Sequence, residues 1–163
     1  MEEQEFRARV LPLQRLMYGM ALKVGLPPDD AADIVQEAQL RLWRGREGIP
    51  RPDEQLRAYC LKTLRNECLT FLKRRKETVS IESEGEALSK ENIDLRDHAE
   101  ERDTQAHIEK LIDTLPAGQK IVIRLSSFGG MDIEEISEAT GYTAGNVRQL
   151  LSRGRKRLRE LIR

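Results

Sequence analysis

The stretch that decides the fold of this chain is its C-terminal segment from Asp132 to Arg163, DIEEISEATGYTAGNVRQLLSRGRKRLRELIR. Asp132 and Glu135 have the spacing of a capping box, which starts a helix. Gly141 can end that helix, and Thr143 can cap a second one. Because apolar residues recur at helical spacing in both parts, the pattern predicts two amphipathic helices joined by a tight turn.

The second helix of this pair has an apolar side and a polar, cationic side. Its apolar side consists of Val147, Leu150, Leu151, Leu158 and Leu161. Its other side, with the capping residue, provides the candidate DNA contacts Thr143, Asn146, Arg148, Gln149, Ser152, Arg153 and Lys156. Amide and guanidinium groups on a face that packing leaves free can bind base edges and phosphates in the major groove. The segment is therefore predicted to be a DNA-binding helix-turn-helix, although a solvated basic surface helix is the simpler alternative.

Charge is unevenly distributed along a chain whose 28 basic residues balance its 28 acidic residues. Basic residues dominate residues 56–76 and again residues 141–163, whereas acidic residues dominate residues 77–103. A surface without a polyanionic ligand would be expected to mix the signs. Two basic segments separated by an acidic one indicate a polyanion that is contacted at two places.

The composition divides the chain into three parts. Residues 1–76 and 106–163 have helical periodicity, whereas residues 77–105 are rich in Ser, Glu and Asp and have few apolar residues. Such a segment is typical of a flexible linker. We therefore predict an all-α protein with two small helical domains joined by an acidic flexible linker, the second domain being the helix-turn-helix.

Three helices are predicted in the N-terminal domain. The first spans Phe6 to Val24, and Pro12 must lie early in it or kink it. The second begins at Asp29 and Asp30 and runs through Arg44, with its acidic residues at the positive end of the helix dipole. The third spans residues 56–76, after a loop broken by glycine and proline.

The second predicted helix has an unusual outer face. Its apolar arc, expected to face the core, consists of Ala31, Ile34, Val35, Ala38 and Leu42. Its outer side carries Asp33, Gln36, Glu37, Leu40 and Trp43. An apolar anchor with a polar rim is the composition of a protein-docking site. The alternative is that another helix covers Leu40 and Trp43.

The third predicted helix carries a mixed aromatic and basic stripe opposite its apolar arc. The arc, expected to be buried, consists of Leu56, Cys60, Leu61, Leu64, Cys68, Phe71 and Leu72. The stripe consists of Tyr59, Lys62, Arg65, Asn66 and Lys73. Rings can stack on exposed bases while cations hold phosphates, so the stripe suits single-stranded nucleic acid. A merely solvated face is the alternative.

An enzyme is the third possibility. Asp29, Asp30 and Asp33 match the DDxxD pattern with which prenyl transferases hold magnesium diphosphate. The chain has no second matching cluster, and no cofactor fingerprint or metal-ligand spacing. Cys60 and Cys68 are expected to be reduced core residues. We therefore predict no catalytic activity, no cofactor and no metal.

The hydropathy pattern predicts a cytoplasmic protein. No apolar run is long enough to span a membrane, and the N-terminus MEEQE lacks the features of a signal peptide. A cytoplasmic protein without membrane contact of its own is therefore expected.

Taken together, the motifs resemble bacterial RNA polymerase sigma factors of the extracytoplasmic-function group. Residues 33–38 (DIVQEA), followed by Leu40 and Trp43, are similar to the second conserved region of this family. Residues 58–66 (AYCLKTLRN) are similar to its third-helix signature, and residues 115–158 resemble its C-terminal DNA-reading domain. The resemblance covers nearly the whole chain outside the acidic segment, in the order of the family.

This resemblance implies a division of labour. The outer face of the second helix would bind the clamp helices of the largest subunit of core RNA polymerase. The third helix and the loop at residues 45–55 would capture unpaired bases of the minus-ten element, and the last helix would read the minus-thirty-five element of promoter DNA. The family is often inhibited by an anti-sigma factor, and the resemblance therefore implies such a protein as a further partner. A free-standing helix-turn-helix regulator is the rival interpretation.

Overall fold

The computed structural model describes residues 1–79 and 103–162, and over these ranges it contains helices and turns but no strand. The helices are α1 Glu3–Arg9, α2 Gln14–Val24, α3 Pro28–Arg44, α4 Asp53–Val79, α5 Asp103–Asp113, α6 Ala117–Ser127, α7 Ile133–Thr140 and α8 Ala144–Ile162. Short 3-10 turns lie at Leu11–Leu13 and Arg46–Gly48. The predicted all-α fold is confirmed. The predicted acidic linker falls mainly on residues 80–102, outside the described residues.

The predicted first helix is two helices rather than one. α1 ends at Arg9, the 3-10 turn Leu11–Leu13 contains Pro12, and α2 starts at Gln14. Proline has no amide hydrogen and its ring clashes with the preceding turn, so a continuous α-helix is interrupted there. The break lets α1 leave the direction of α2, and α1 instead lies against the loop that follows α3, with its Phe6 ring on Trp43 at the end of α3.

α3 and α4 pack closely together and form the base of the N-terminal half. All five residues of the predicted apolar arc of α3 are buried. On α4 the buried residues include Leu56, Leu64 and Leu72, whereas Leu61 and Phe71 of the predicted arc are only partly buried. The periodicity of the sequence thus identified the faces of both helices.

The two cysteines are buried in α4 and reduced, as predicted. Desolvation by burial raises the pKa of the Cys60 thiol to about 11. Burial, with the nearby Glu67 carboxylate as a second cause, raises the pKa of Cys68 to about 12. Both thiols are therefore protonated at neutral pH and poorly nucleophilic.

The C-terminal half contains the predicted helix-turn-helix. The Glu135 amide donates to Asp132 Oδ1 over 2.8 Å, and the Asp132 amide donates to Glu135 Oε1 over 3.0 Å, which completes the capping box of α7. Gly141 ends α7 with φ of 87°, a left-handed conformation that glycine adopts without strain. The Asn146 amide donates to Thr143 Oγ1 over 3.1 Å and so caps α8.

The two halves lie against each other. α4 packs on α7, and α2 contacts α6. The Arg124 guanidinium donates to the carbonyl oxygen of Lys23 over 2.8 Å, which joins α6 to the end of α2. The last helix of the N-terminal half is therefore covered in part by the first helix of the helix-turn-helix.

The packing of α8 on α6 leads to a stability prediction. A Cβ atom at Gly154 would lie 3.0 Å from Ile123 Cγ1, whereas one at Gly145 would meet nothing within 4 Å. We expect Gly154→Val to lower the free energy of unfolding by about 1–3 kcal/mol, because overpacking forces α8 away from α6. Gly145→Ala is the control, and it should be neutral or stabilising by up to about 1 kcal/mol. Urea denaturation measures both, and equal effects would contradict the packing argument.

Candidate nucleic-acid and polymerase interfaces

The outer face of α8 is a continuous polar surface. α8 is fixed by the buried residues Val147, Leu151 and Gly154, while Leu150 and Leu158 are partly buried. All seven candidate DNA contacts predicted from the sequence are exposed. Leu161, which the periodicity assigned to the apolar side, is also exposed, at 39%. The face around Arg148 and Gln149 is thus free to contact a ligand.

Further cations extend this surface beyond the predicted set. Arg155, Arg157 and Arg159 are exposed as well, and the Arg155 guanidinium donates to Ser126 Oγ over 3.3 Å. Glu160 is the only acidic residue of the segment 141–163. The basic bias of this stretch was the signal that could have found these residues. The surface has the charge that a phosphate backbone attracts.

The basic stripe of α4 is divided by the contact with α7. Tyr59, Lys62 and Asn66 are exposed, whereas Arg65 and Lys73 are partly buried. The Arg65 guanidinium forms a short ion pair with Glu135, and its Nε donates to the Gly130 carbonyl over 3.3 Å. Its Nη1 donates to Asn66 Oδ1 over 2.7 Å.

Lys73 makes a second ion pair across the same contact. Its Nζ lies 3.5 Å from Glu138 Oε1. The hydrogen bond from Arg65 is the main cause that lowers the pKa of Glu135, which therefore stays ionised. Two of the five predicted single-strand contacts are thus engaged by acidic residues of α7 in this arrangement.

The outer face of α3 differs from the prediction at Trp43. Leu40 is 47% exposed, and Asp33, Gln36 and Glu37 are exposed around it. The Trp43 ring is partly covered instead.

α1 and Arg46, in the 3-10 turn that follows α3, provide that cover. The Phe6 ring stands edge-on to Trp43 with ring centroids 5.1 Å apart, and the Arg46 guanidinium lies 3.8 Å above the indole. The alternative, that another helix covers this face, therefore holds in part for Trp43, whereas Leu40 stays exposed. A helical wheel of α3 describes this helix alone, so it does not show that Phe6 of α1 packs on Trp43 at the end of α3.

The acidic residues at the start of α3 do not form a metal site. Among the residues that the structure describes, no group of three or more potential ligands is close enough to hold an ion. Asp29 and Asp30 lie in the first turn of α3, where carboxylates stabilise the positive end of the helix dipole.

No helix within residues 1–79 and 103–162 is long and apolar enough to cross a membrane.

Comparison with known proteins gives the family. The Sigma-70 region 2 family matches residues 10–78, and the Sigma-70, region 4 family matches residues 106–158. RNA polymerase sigma factor SigV of Bacillus subtilis is 32% identical over 143 residues, which cover 87% of this chain and 81% of SigV. The chain belongs to the sigma-70 family of RNA polymerase sigma factors. RNA polymerase sigma-E factor of Streptomyces avermitilis is 30% identical over 98% of this chain and 86% of its own length.

A solved structure shares the fold of this sigma factor. The sigma factor RpoE from Bartonella quintana, solved in complex with the anti-sigma factor NepR, aligns with a TM-score of 0.52 and 24% identity. The alignment covers 98% of this chain and 97% of that one. The resemblance to the extracytoplasmic-function group is confirmed.

The family settles the choice among the three interpretations of the sequence. A sigma factor binds core RNA polymerase and directs it to promoter DNA, and it is not an enzyme. Region 2 covers α2, α3 and α4, and region 4 covers most of α5 to α8. A free-standing regulator would not account for region 2. The prenyl transferase alternative is excluded as well, because a sigma factor is not an enzyme.

Proposed function

We propose that this sigma factor divides promoter recognition between its two halves and docks on core polymerase through the outer face of α3. α8 would read the minus-thirty-five element, while α4 and the loop before it would hold the unpaired minus-ten strand. Of the predicted loop 45–55, residues 53–55 are the first turn of α4, so the loop itself is residues 45–52. The exposed polar face of α8, anchored by buried residues beneath it, is the observation that best supports this assignment. A rigid helix with free amides and guanidiniums is suited to the major groove.

The docking surface on α3 has Leu40 at its centre. Asp33, Gln36 and Glu37 surround it as a polar rim. The clamp helices of the largest polymerase subunit are the proposed partner. Trp43 would support this surface from below rather than act as a second anchor, because its ring packs against Phe6.

Capture of the minus-ten strand by α4 requires a change of arrangement. Arg65 and Lys73 are paired with Glu135 and Glu138, and phosphates cannot occupy the same positions. Tyr59, Lys62 and Asn66 would then act together with the two released cations. If the sigma factor binds unpaired bases more tightly than duplex DNA, it shifts the equilibrium toward open DNA, and no covalent bond needs to be made or broken.

We place the protein in the cytoplasm, where core polymerase and promoter DNA are found, and we propose an anti-sigma factor as a further partner. The Bartonella quintana relative was solved with such a protein.

The assignment of α8 is tested by substitutions on its outer face. Arg148→Ala and Gln149→Ala are each expected to weaken promoter-specific binding by about 1–3 kcal/mol, because each removes a base-edge contact. Lys156→Ala should instead lower affinity for promoter and random DNA equally, and reduce the salt slope by about one. Run-off transcription on genomic fragments supplies the promoter, and binding titrations at several salt concentrations supply the affinities. Equal losses on both DNAs for all three variants would refute base reading by α8.

A further inference from the structure

α1 holds the loop between α3 and α4 through a set of charged contacts. Arg51 Nη1 donates to both carboxylate oxygens of Glu5, over 3.3 and 3.2 Å. The Arg9 guanidinium donates to the Arg51 carbonyl oxygen and, over 2.5 Å, to Asp53 Oδ1. Arg9 also donates to Glu5 Oε2 over 3.3 Å, so that these four side chains form one network. Residues 46 positions apart in the sequence are thereby joined.

The loop has few hydrogen bonds of its own with which to keep this shape. Its first part closes on itself, with the Gly48 amide donating to Gly45 O over 2.9 Å and the Ile49 amide to Arg46 O over 3.3 Å. Pro50 and Pro52 have no amide hydrogen to donate. The second part of the loop is therefore held mainly by what contacts Arg51, and α1 supplies contacts to both its side chain and its carbonyl oxygen.

An apolar contact supports the same loop from the α3 side. Phe6 is 5% exposed and its ring meets Trp43, while Arg46 covers the other part of the indole. Ile49, in the middle of the loop, is 5% exposed. The middle and the C-terminal end of α1 are thus connected to the loop or to the residues that flank it, and the break at Pro12 makes this geometry possible.

We propose that Glu5 and Arg9 are positioning residues, which fix the loop at residues 45–52 in one shape before the unpaired minus-ten strand arrives. The inference rests on the proposed role of this loop in strand capture. A loop that is already ordered loses less conformational entropy on binding, so its affinity for the strand is higher. Neither side chain needs to touch DNA for this effect.

The chain offers a matched control on the same helix. Glu3 and Arg7 form an ion pair of 2.8 Å with the same spacing of four residues, but both side chains are exposed and their pair does not involve the loop. The double variants Glu5→Gln/Arg9→Gln and Glu3→Gln/Arg7→Gln each remove one acid and one base from α1. The net charge and the loss of one intrahelical pair are therefore equal in the two variants.

The experiment uses the full sigma factor bound to core polymerase and a promoter obtained by run-off transcription. For Glu5→Gln/Arg9→Gln we expect the dissociation constant for the single-stranded non-template minus-ten oligonucleotide to rise about fivefold. Hydrogen exchange of the Ile49 amide, which bonds Arg46 O over 3.3 Å next to the segment that Arg51 holds, should become faster, while affinity for core polymerase and for upstream duplex DNA stays unchanged. Glu3→Gln/Arg7→Gln should behave like the wild type in all four measurements.

A crosslink separates failure of this inference from failure of the proposed loop function. Replacement of Glu47, whose side chain is 81% exposed, by p-benzoylphenylalanine places a photoreactive group on the loop. It is made in the wild type and in both double variants, so that the lost pair with the Met1 ammonium is common to all three. Absence of a crosslink to the non-template strand would refute the role of the loop itself. A crosslink together with equal strand affinity and equal loop exchange in the two double variants would overturn the positioning role of α1 alone.

Discussion

Leu40→Asp is expected to abolish stable binding of the sigma factor to core RNA polymerase while leaving its fold intact. Leu40 is 47% exposed on α3, so a carboxylate at this position costs little in the free protein. In a complex the same carboxylate would be buried at the centre of the docking surface without a partner. We expect at least a hundredfold loss of affinity, corresponding to about 2.8 kcal/mol or more. A pull-down of core enzyme with tagged protein measures it.

The control variants follow from the surroundings of the two apolar residues. Leu161→Asp changes a similarly exposed leucine, 39% exposed on α8, and should leave core binding unchanged. Trp43→Ala is a less suitable test of docking, because it removes the ring that Phe6 and Arg46 contact and should lower the unfolding temperature. Undiminished capture of core polymerase by Leu40→Asp, with an unchanged thermal transition, would remove α3 from the proposed interface.

Local patterns in the sequence were sufficient for the helices and for their faces. The apolar arc of α3 and the capping box of α7 depend on residues within a few positions of each other, and both are found as predicted. The position of Pro12 was enough to predict an early start or a kink, but the result is a separate helix α1 that contacts the end of α3 and the loop after it.

Contacts between distant segments could not be predicted in this way. Arg65 and Glu135 are 70 positions apart, and Glu5 and Arg51 are 46 positions apart. A helical wheel shows which face of α4 is polar, but it does not show which other element shares that face. The polar stripe of α4, which the sequence predicted to be available to nucleic acid along its whole length, is therefore divided between exposed and paired residues. Trp43 is partly covered because α1, another distant segment, packs against it.

The ion pair between Arg65 of α4 and Glu135 of α7 should limit access of the minus-ten strand to the polar stripe of α4. Glu135→Gln removes the charge that Arg65 faces but keeps an oxygen that can accept from the Asp132 amide, so the capping box is retained. A partly buried pair of this kind contributes about 1 kcal/mol, and we expect affinity of the free sigma factor for single-stranded minus-ten DNA to rise roughly fivefold. Fluorescence anisotropy with a labelled oligonucleotide measures it. Glu134→Gln, an exposed neighbour in the same turn, should leave that affinity unchanged.

The ion pair between Arg65 and Glu135 should weaken as the pH falls, because the pKa of Glu135 is lowered. Arg65, through its hydrogen bond, is the main cause that lowers the pKa of Glu135, and the hydrogen bond from the Asp132 amide and the charge of Lys73 act in the same direction. A carboxylate with a depressed pKa stabilises the paired arrangement above its ordinary value of 4.5, and this stabilisation is lost as the pH falls through the lowered pKa. The contact should therefore be insensitive to pH near neutrality and weaken only in acid. If Glu135→Gln left strand binding unchanged at neutral pH, the pair would not limit access to α4, and Arg65 would be free to exchange Glu135 for phosphate at no measurable cost.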